Sequence, residues 1–281
     1  MRIKTVIASL GVLVLTFGFG VAANAKAPQA QASKLQEIKD LNELPKFLAE
    51  GQDKRTLLVL DIDDTLLTSP EFFGSDSWYE WQRALPNGHP DKIRCLYDVI
   101  AMNYESGLQV PTQADAPSII NSLKVDKIIQ TSRSLASRAA TVRELLDAGY
   151  ELPAALSAKI DGKLYQLNPA DPKSATISYH RGIYMGSGQD KGSLLTQLMK
   201  DGSLKYERVV FVDDGFKNIE SMRVAMEKLQ VEYVGLFFTR ISKAVTPDKE
   251  RLAEQGWVEW QHLLAMTFPG RLARMNTTCG Y

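Results

Sequence analysis

The sequence is poor in histidine and has no excess of either charge. Its three histidines, His89, His180 and His262, lack the spacing typical of a metal site, so we assign them no role. The 33 Lys and Arg residues balance the 33 Asp and Glu residues, and the formal net charge is zero. Nucleic-acid-binding proteins usually carry a strong basic excess. We therefore expect no nucleic-acid partner.

Long apolar runs are also scarce, and the longest one stands near the N-terminus, over residues 6–21. It follows Arg2 and Lys4 and precedes residues 23–25, Ala-Asn-Ala, which place small side chains where a signal peptidase reads them. The run is too short for a comfortable membrane span. We therefore predict that residues 1–25 are a signal peptide and that the mature protein is exported, periplasmic or secreted, without a stable membrane anchor. An uncleaved N-terminal anchor is the alternative.

Cysteine is rarer still, and Cys95 and Cys279 are the two that the chain contains. Neither directly follows the apolar run, which argues against a lipid-anchored form. An oxidising compartment would allow the two thiols to pair, and a disulfide would then tie the C-terminal tail to the middle of the chain. Two unpaired thiols are equally compatible with the sequence, which gives no distance between them.

The remaining sequence shows a recurring pattern of apolar segments that run into polar residues. Residues 56–60 are almost wholly apolar and end at Asp61, which suits a strand buried on both faces in a parallel sheet. Helical patterns lie between such segments, and this alternation predicts an α/β fold with a Rossmann-like parallel sheet flanked by helices. The predicted strands cover residues 56–60, 125–130, 208–212 and 233–238, and the predicted helices between them cover residues 136–148, 193–200 and 216–229.

Two segments interrupt this alternation and define the predicted domains. Residues 68–124 contain aromatics between residues 72 and 81, and we interpret them as a mainly helical cap insert whose aromatics pack it against the core. Residues 157–187 combine tight-turn sequence with partial alternation, which favours a β-hairpin excursion. The other predicted regions are a leader and N-terminal helix over residues 26–54, with the helix at 35–49, and a core made of residues 55–67 and 125–281.

Acidic residues stand at the carboxyl ends of two predicted strands, where open parallel sheets bind their ligands. Asp61 and Asp63 follow the first strand, and Asp213 and Asp214 follow a later one. Carboxylates that converge on one place repel each other and are hard oxygen ligands, so a bound Mg²⁺ makes chemical sense there. A carboxylate such as Asp61 can also attack phosphorus and form an aspartyl-phosphate.

Groups that could hold a phosphoryl oxygen follow other predicted strands. Thr131 offers a hydroxyl at a strand end, and Lys191 offers a positive charge beside a helix start. A transferring phosphoryl group needs such hydrogen-bonding and cationic partners. The set resembles the haloacid dehalogenase-like superfamily of phosphohydrolases, and the resemblance covers about residues 55–240. Its four motifs can be placed in order: Asp-x-Asp-x-Thr at residues 61–65, the hydroxyl of Thr131, the lysine Lys191 and the acidic pair Asp213-Asp214.

This resemblance implies roles for the first and last motifs. Asp61 would be the nucleophile, and Asp63 would act as general acid and then as general base. Mg²⁺ would be held by the Asp61 carboxylate, the Asp63 backbone carbonyl and Asp213. Asp64 would be structural.

The same resemblance implies roles for the middle motifs and for two neighbours of the acidic pair. Thr131, Ser132 and Lys191 would bind the phosphoryl oxygens of the substrate. Asp214 or Asn218 would support the metal or the lysine through hydrogen bonds.

The function that this resemblance implies is hydrolysis of a small phosphorylated substrate by an exported, Mg²⁺-dependent phosphomonoesterase. The chain also looks like bacterial class B acid phosphatases, but it carries Thr131-Ser132-Arg133 where that group typically has Thr-Gly-Arg. We expect Arg133 to lie on the surface, and contact with the substrate is the alternative. Phosphotransfer to another hydroxyl is one alternative, and a non-catalytic binding protein with the same fold is another.

Overall fold

The computed structural model of the chain describes residues 33–166, 170 and 175–279. The predicted signal peptide and the first part of the predicted leader lie outside these residues. The strands of the described part are β1 Ser33–Ile38, β2 Thr56–Leu60, β3 Leu67–Thr68, β4 Val110–Pro111, β5 Asp126–Thr131, β6 Lys163–Tyr165, β7 Ile177–His180, β8 Ile183–Met185, β9 Arg208–Asp213 and β10 Glu232–Phe238.

Helices connect most of these strands. Over the described ranges, no helix is long and apolar enough to cross a membrane. The α-helices are α1 Leu44–Ala49, α2 Asp76–Ala84, α3 Leu96–Ser106, α4 Ala116–Ser122, α5 Arg138–Asp147, α6 Lys191–Gly202, α7 Phe216–Leu229, α8 Pro247–Thr267 and α9 Pro269–Thr277, and short 3₁₀ helices cover Leu41–Glu43 and Leu135–Ser137.

Eight of the described strands form one sheet in the order β1-β10-β9-β2-β5-β8-β7-β6. In this sheet order, every pair of neighbouring strands from β1 as far as β8 is parallel. The last two pairs, β8 with β7 and β7 with β6, are antiparallel. The predicted fold class, a mainly parallel α/β sheet flanked by helices, is therefore confirmed. The antiparallel pair of β7 and β8 also confirms the predicted hairpin excursion. β3 and β4 form a separate antiparallel pair at the base of the insert.

Burial on both faces explains why the central strands are uninterrupted apolar runs. In β2, Leu58 and Leu60 belong to one hydrophobic cluster, and Leu57 and Val59 belong to another. Successive side chains of a strand point to opposite faces of a sheet, so helices must cover both faces. Helices α1, α4 and α5 pack on the first face, and α6 and α7 pack on the second. The carboxyl ends of the parallel strands are left together at one edge.

The first described residues correct one prediction. The helix predicted over residues 35–49 is wrong in its first half, because Ser33–Ile38 forms β1 and pairs parallel with β10 at the edge of the sheet. Backbone hydrogen bonds to that edge outweigh the partial helical spacing of the segment. Pro45 lies in the first turn of α1, where a missing N–H is tolerated. This proline marks where the helix begins.

The insert and the C-terminal helices share a third hydrophobic cluster. Trp78 of α2 and Val99 of α3 pack with Ala253 and Leu264 of α8 and with Met275 of α9. Helices α8 and α9 thus contribute side chains to the hydrophobic interior of the insert, although the predicted domains assign them to the core. All five aromatics between residues 72 and 81 pack into this cluster, as do both tryptophans of α8; the members are Phe72, Phe73, Trp78, Tyr79, Trp81, Trp257 and Trp260.

A disulfide between Cys95 and Cys279, with their Cα atoms 5.2 Å apart, joins the end of the chain to the insert. Arg94 reinforces this junction by donating hydrogen bonds to the backbone carbonyls of Asn276 and Thr277, at 3.0 and 2.7 Å. Of the two possibilities that the sequence left open, the structure therefore contains the disulfide.

Replacing both cysteines, as Cys95→Ser/Cys279→Ser, should lower the free energy of unfolding by about 2–5 kcal/mol. The disulfide links residues separated by 184 positions, and closing so long a loop removes much conformational entropy from the unfolded chain. Equilibrium urea unfolding of oxidised wild type, reduced wild type and the double variant measures the effect. Reduced wild type and the double variant should have the same free energy of unfolding. A wild type whose free energy of unfolding does not change on reduction would contradict the expectation.

Candidate active site

Two buried carboxylates meet at the carboxyl edge of the sheet. Asp61 directly follows β2, and its backbone N–H donates to the Val212 carbonyl of β9 at 3.0 Å. This bond aligns the two strand ends and brings Asp61 beside Asp213. The ammonium of Lys191, the first residue of α6, lies 2.5 Å from Asp61 Oδ1 and 2.6 Å from Asp213 Oδ2. The predicted nucleophile, metal ligand and lysine are thus brought into direct contact.

Burial determines the electrostatics of this triad. All three side chains are shielded from solvent, with Asp61, Lys191 and Asp213 only 5, 2 and 0% exposed. Burial raises the pKa of Asp61 well above its usual range, and the charge of Lys191 opposes that rise. Burial lowers the pKa of the Lys191 ammonium, but the charges of Asp213 and Asp61 outweigh it and the net shift is upward. The lysine therefore stays charged, and it partly offsets the protonation of Asp61 that burial favours.

The second oxygen of Asp213 is held from the opposite side. Its Oδ1 accepts hydrogen bonds from the Gly215 backbone N–H at 2.7 Å and from Asn218 Nδ2 at 2.9 Å. Both donors lie where α7 begins, so the start of this helix fixes the orientation of the carboxylate. Asn218 thus contacts the predicted metal ligand Asp213.

The turn after β2 carries the other acidic residues of the first motif. Asp64 adopts a left-handed conformation, with φ of 55°, which Asp tolerates better than most residues. Its Oδ1 accepts from Thr68 Oγ1 at 2.7 Å, and Thr65 Oγ1 accepts from the Asp214 backbone N–H at 3.1 Å. These bonds fasten the turn to the end of β9.

A second lysine, Lys243, lies at the centre of a further acidic cluster. It comes from the loop between β10 and α8, and its ammonium lies 2.5 Å from Asp214 Oδ2 and 3.0 Å from Asp64 Oδ2, and also contacts Asp76 of α2. Burial raises the pKa of Asp214 to about 7 and that of Asp76 to about 6, although Lys243 opposes both shifts. Lys243 therefore connects the turn after β2, the end of β9 and the insert.

The predicted general acid, Asp63, is paired with Arg133. The Arg133 guanidinium donates to both carboxylate oxygens of Asp63, at distances of 2.8 to 3.2 Å. It also donates to Glu144 of α5, and its cation lies 4.0 Å from the ring centroid of Tyr104 in α3. The prediction of a surface position for Arg133 is wrong, because its side chain is fully buried. Paired acids and an aromatic face on separate elements compensate for its loss of hydration.

The hydroxyl groups after β5 differ in where they lie. Thr131 is buried, and its Oγ1 accepts a hydrogen bond from the Arg133 backbone N–H at 3.1 Å, within its own turn. Ser132 is exposed and lines the cavity above the sheet edge. Of the two hydroxyl residues predicted to bind a phosphoryl group, Ser132 is the one at the cavity wall.

A polar cavity of about 830 Å³ opens over these groups. Its walls include Asp61, Asp63, Lys191, Asp214 and Lys243, together with Asn218. Positions at strand or helix ends indicated four of these six residues from the sequence, and the family resemblance indicated Asn218. Lys243 gave no comparable signal, because it lies in a loop with no periodic pattern.

Negative charge exceeds positive charge in this region. The networks around Lys191, Arg133 and Lys243 contain three cationic side chains and seven carboxyl groups. One oxygen from each of Asp61, Asp213 and Asp214 lies within 4.8 Å of the others. Such converging oxygens are the donor set that a hard divalent cation such as Mg²⁺ prefers. The residues present therefore fit a metal of this kind.

Replacing Arg133 with leucine should destabilise the protein by about 3–5 kcal/mol, because Glu144 would be left as a buried charge without its cation. The double variant Arg133→Leu/Glu144→Leu should recover part of the loss. Arg143→Leu is the matched control: this nearby arginine pairs with Glu105 on the surface, and its loss should cost at most about 1 kcal/mol. Urea unfolding measures all three, and equal losses for the two single variants would refute the buried network.

The chain shows similarity to known proteins at two levels. A family model described as "Protein of unknown function (DUF2608)" matches residues 35–269. No curated protein sequence matches the chain. Among solved structures, it is similar to the class C acid phosphatase from Bacillus anthracis, with 15% sequence identity and a TM-score of 0.37, over 76% of this chain and 84% of that chain.

Proposed function

We propose that this chain, which belongs to the DUF2608 family of proteins of unknown function, is a phosphomonoester hydrolase of the haloacid dehalogenase-like type. The observation that carries the proposal is the buried contact of Lys191 with Asp61 and Asp213 at adjacent strand ends. This contact joins a candidate nucleophile and a candidate phosphate-binding charge, Asp61 and Lys191, which both line one cavity, to the buried candidate metal ligand Asp213.

In the first half of the proposed reaction, an Asp61 oxygen attacks the phosphorus of the monoester. The bond between phosphorus and the leaving oxygen breaks, and that oxygen takes a proton from the Asp63 carboxyl group. The products are the free alcohol and an aspartyl-phosphate on Asp61. Because an ionised Asp63 binds Arg133 in a bidentate pair, its protonated form must give up that pair as the substrate binds.

In the second half, the Asp63 carboxylate removes a proton from a water molecule that attacks the phosphorus of the aspartyl-phosphate. The bond to Asp61 breaks, inorganic phosphate leaves, and both side chains return to their starting states. One residue can thus serve as acid and then as base, because the proton that it gives up in the first half is recovered from water in the second.

The phosphoryl oxygens would be held by Lys191 and Ser132. Lys191 is the first residue of α6, so the amino-terminal end of that helix adds a favourable dipole for an anion. Ser132 contributes a hydroxyl from the wall of the same cavity. Thr131 supports this turn through its bond to the Arg133 backbone N–H.

We propose Mg²⁺ as the metal, held by the carboxylates of Asp61 and Asp213 and the backbone carbonyl of Asp63, with Asp214 nearby. When bound, it would neutralise charge on the transferring phosphoryl group. The excess of carboxyl groups over cationic side chains supports a divalent cation, as does the choice of oxygen ligands. Asn218 would orient Asp213 through its hydrogen bond to Oδ1.

Purified protein should hydrolyse p-nitrophenyl phosphate only when Mg²⁺ is present, and Asp61→Asn should lower kcat by about 10³-fold or more. An amide oxygen is too weak a nucleophile to replace the carboxylate. Release of p-nitrophenol measures the rate, with EDTA added and Mg²⁺ restored to test the metal requirement.

Asp53→Asn is the matched control, because Asp53 is exposed and precedes β2 at the opposite end from the site. It should retain wild-type activity. A wild type without Mg²⁺-dependent turnover on any of a broad panel of monoesters would refute the proposed function. Retained activity in Asp61→Asn would refute the nucleophile alone.

We also propose that the protein is exported after removal of residues 1–25. The disulfide supports this, because such bonds persist mainly outside the reducing cytoplasm. N-terminal sequencing of protein from the cell envelope or the medium should begin at Lys26. Recovery of the chain from the cytoplasm with Met1 intact would contradict export.

A further inference from the structure

A second chamber of about 460 Å³ adjoins the polar cavity. The two share walls that include Asp63 and Ser132, so the chamber begins beside the proposed general acid. Its volume lies within the range of about 300–1,000 Å³ that small-molecule sites occupy. A group attached to a phosphate at the acidic site would therefore extend into this chamber.

Most of the chamber wall is apolar or aromatic. Helix α3 of the insert contributes Ile100, Ala101 and Tyr104, and α2 contributes Tyr79. Leu135, in the turn after β5, lies on the core side. The chamber is thus formed between insert and core, and aromatic rings surround the space that a leaving group would fill.

The charged side chains on the described part of the wall are already compensated. Arg133 donates to Asp63 and Glu144 and lies against the ring of Tyr104. Asp76, the other acid in the wall, contacts Lys243. A second anionic group on a substrate would meet Asp63 and Asp76 without a free cation to pair with, and desolvating such a charge is costly.

We propose that this chamber selects the leaving group, and that the substrates are phosphate monoesters of uncharged apolar alcohols or phenols with a ring system. The inference rests on the proposed function, because it needs the phosphate to bind beside Asp61 and Lys191. It goes further by naming the chemical class of the leaving group. An apolar ring would displace water from the chamber, whereas a charged group would lose hydration without recovering an equivalent partner.

The test compares three aryl phosphates with acetyl phosphate, whose leaving group, acetate, is small and has no ring. 2-Naphthyl phosphate should show a kcat/KM about tenfold above phenyl phosphate, because its second ring fills the chamber and the two leaving groups are similar in acidity. 4-Carboxyphenyl phosphate should fall about tenfold below phenyl phosphate, because it carries an added negative charge. Acetyl phosphate reports phosphoryl transfer independently of the chamber.

Ala101→Trp should fill the chamber and lower the ratio of kcat/KM for 2-naphthyl phosphate to that for acetyl phosphate at least tenfold. Leu135→Gln, which makes the wall polar, should lower the same ratio in the same direction. Ala139→Trp is the matched control, since Ala139 is an exposed residue of α5 outside the chamber. That variant should keep the wild-type ratio, and circular dichroism identifies any variant that fails to fold.

A second measurement does not depend on turnover. Fluorescence titration of 2-naphthol into folded wild type should give saturable binding that Ala101→Trp weakens at least tenfold and Ala139→Trp leaves unchanged. Hydrolysis of acetyl phosphate with no preference for 2-naphthyl over 4-carboxyphenyl phosphate would overturn the inference and leave the proposed function intact. If no monoester is hydrolysed, the proposed function fails, and absence of naphthol binding to the wild type would then overturn the chamber as an apolar site as well.

Discussion

The ammonium of Lys191 holds together two carboxylates that would otherwise repel each other. Asp61 and Asp213 are buried at the ends of adjacent strands, and repulsion between charges is far stronger in the interior than in water. A single cation between them offsets that repulsion, and α6 packs on the sheet so that its first residue reaches both. A ligand therefore enters a site whose charges are already arranged, which reduces the reorganisation that accompanies its binding.

The same arrangement, one cation among several acids, recurs twice more around the site. Arg133 joins Asp63 to the core helix α5 and meets Tyr104 of the insert, and Lys243 joins Asp214 to Asp76 of the insert. The insert is therefore attached to the acidic edge by charge as well as by apolar packing. A substitution in α2 or α3 can thus change the electrostatics of the site without touching a substrate.

Sequence patterns predict the parts of this structure that depend on residues close to one another in the chain. Asp61 and Asp213 could be placed together because each ends an apolar strand, and parallel strands end at one edge. The contacts of Arg133 and Lys243 could not be predicted in this way, because no periodic pattern links either residue to its partners on other elements. β1 was mistaken for helix for a related reason, since its strand conformation depends on pairing with β10, about 200 residues later in the chain. The pairing of Cys95 likewise depends on a tertiary contact.

The shared cluster of the insert and the C-terminal helices has a consequence for the order in which the molecule assembles. Trp78 and Val99 find part of their apolar environment on α8 and α9, and Cys95 finds its partner in Cys279. During synthesis, β2 and the insert emerge long before these partners do. The insert therefore completes its interior only after α8 and α9 have emerged, although α2 and α3 precede most of the core strands in the chain.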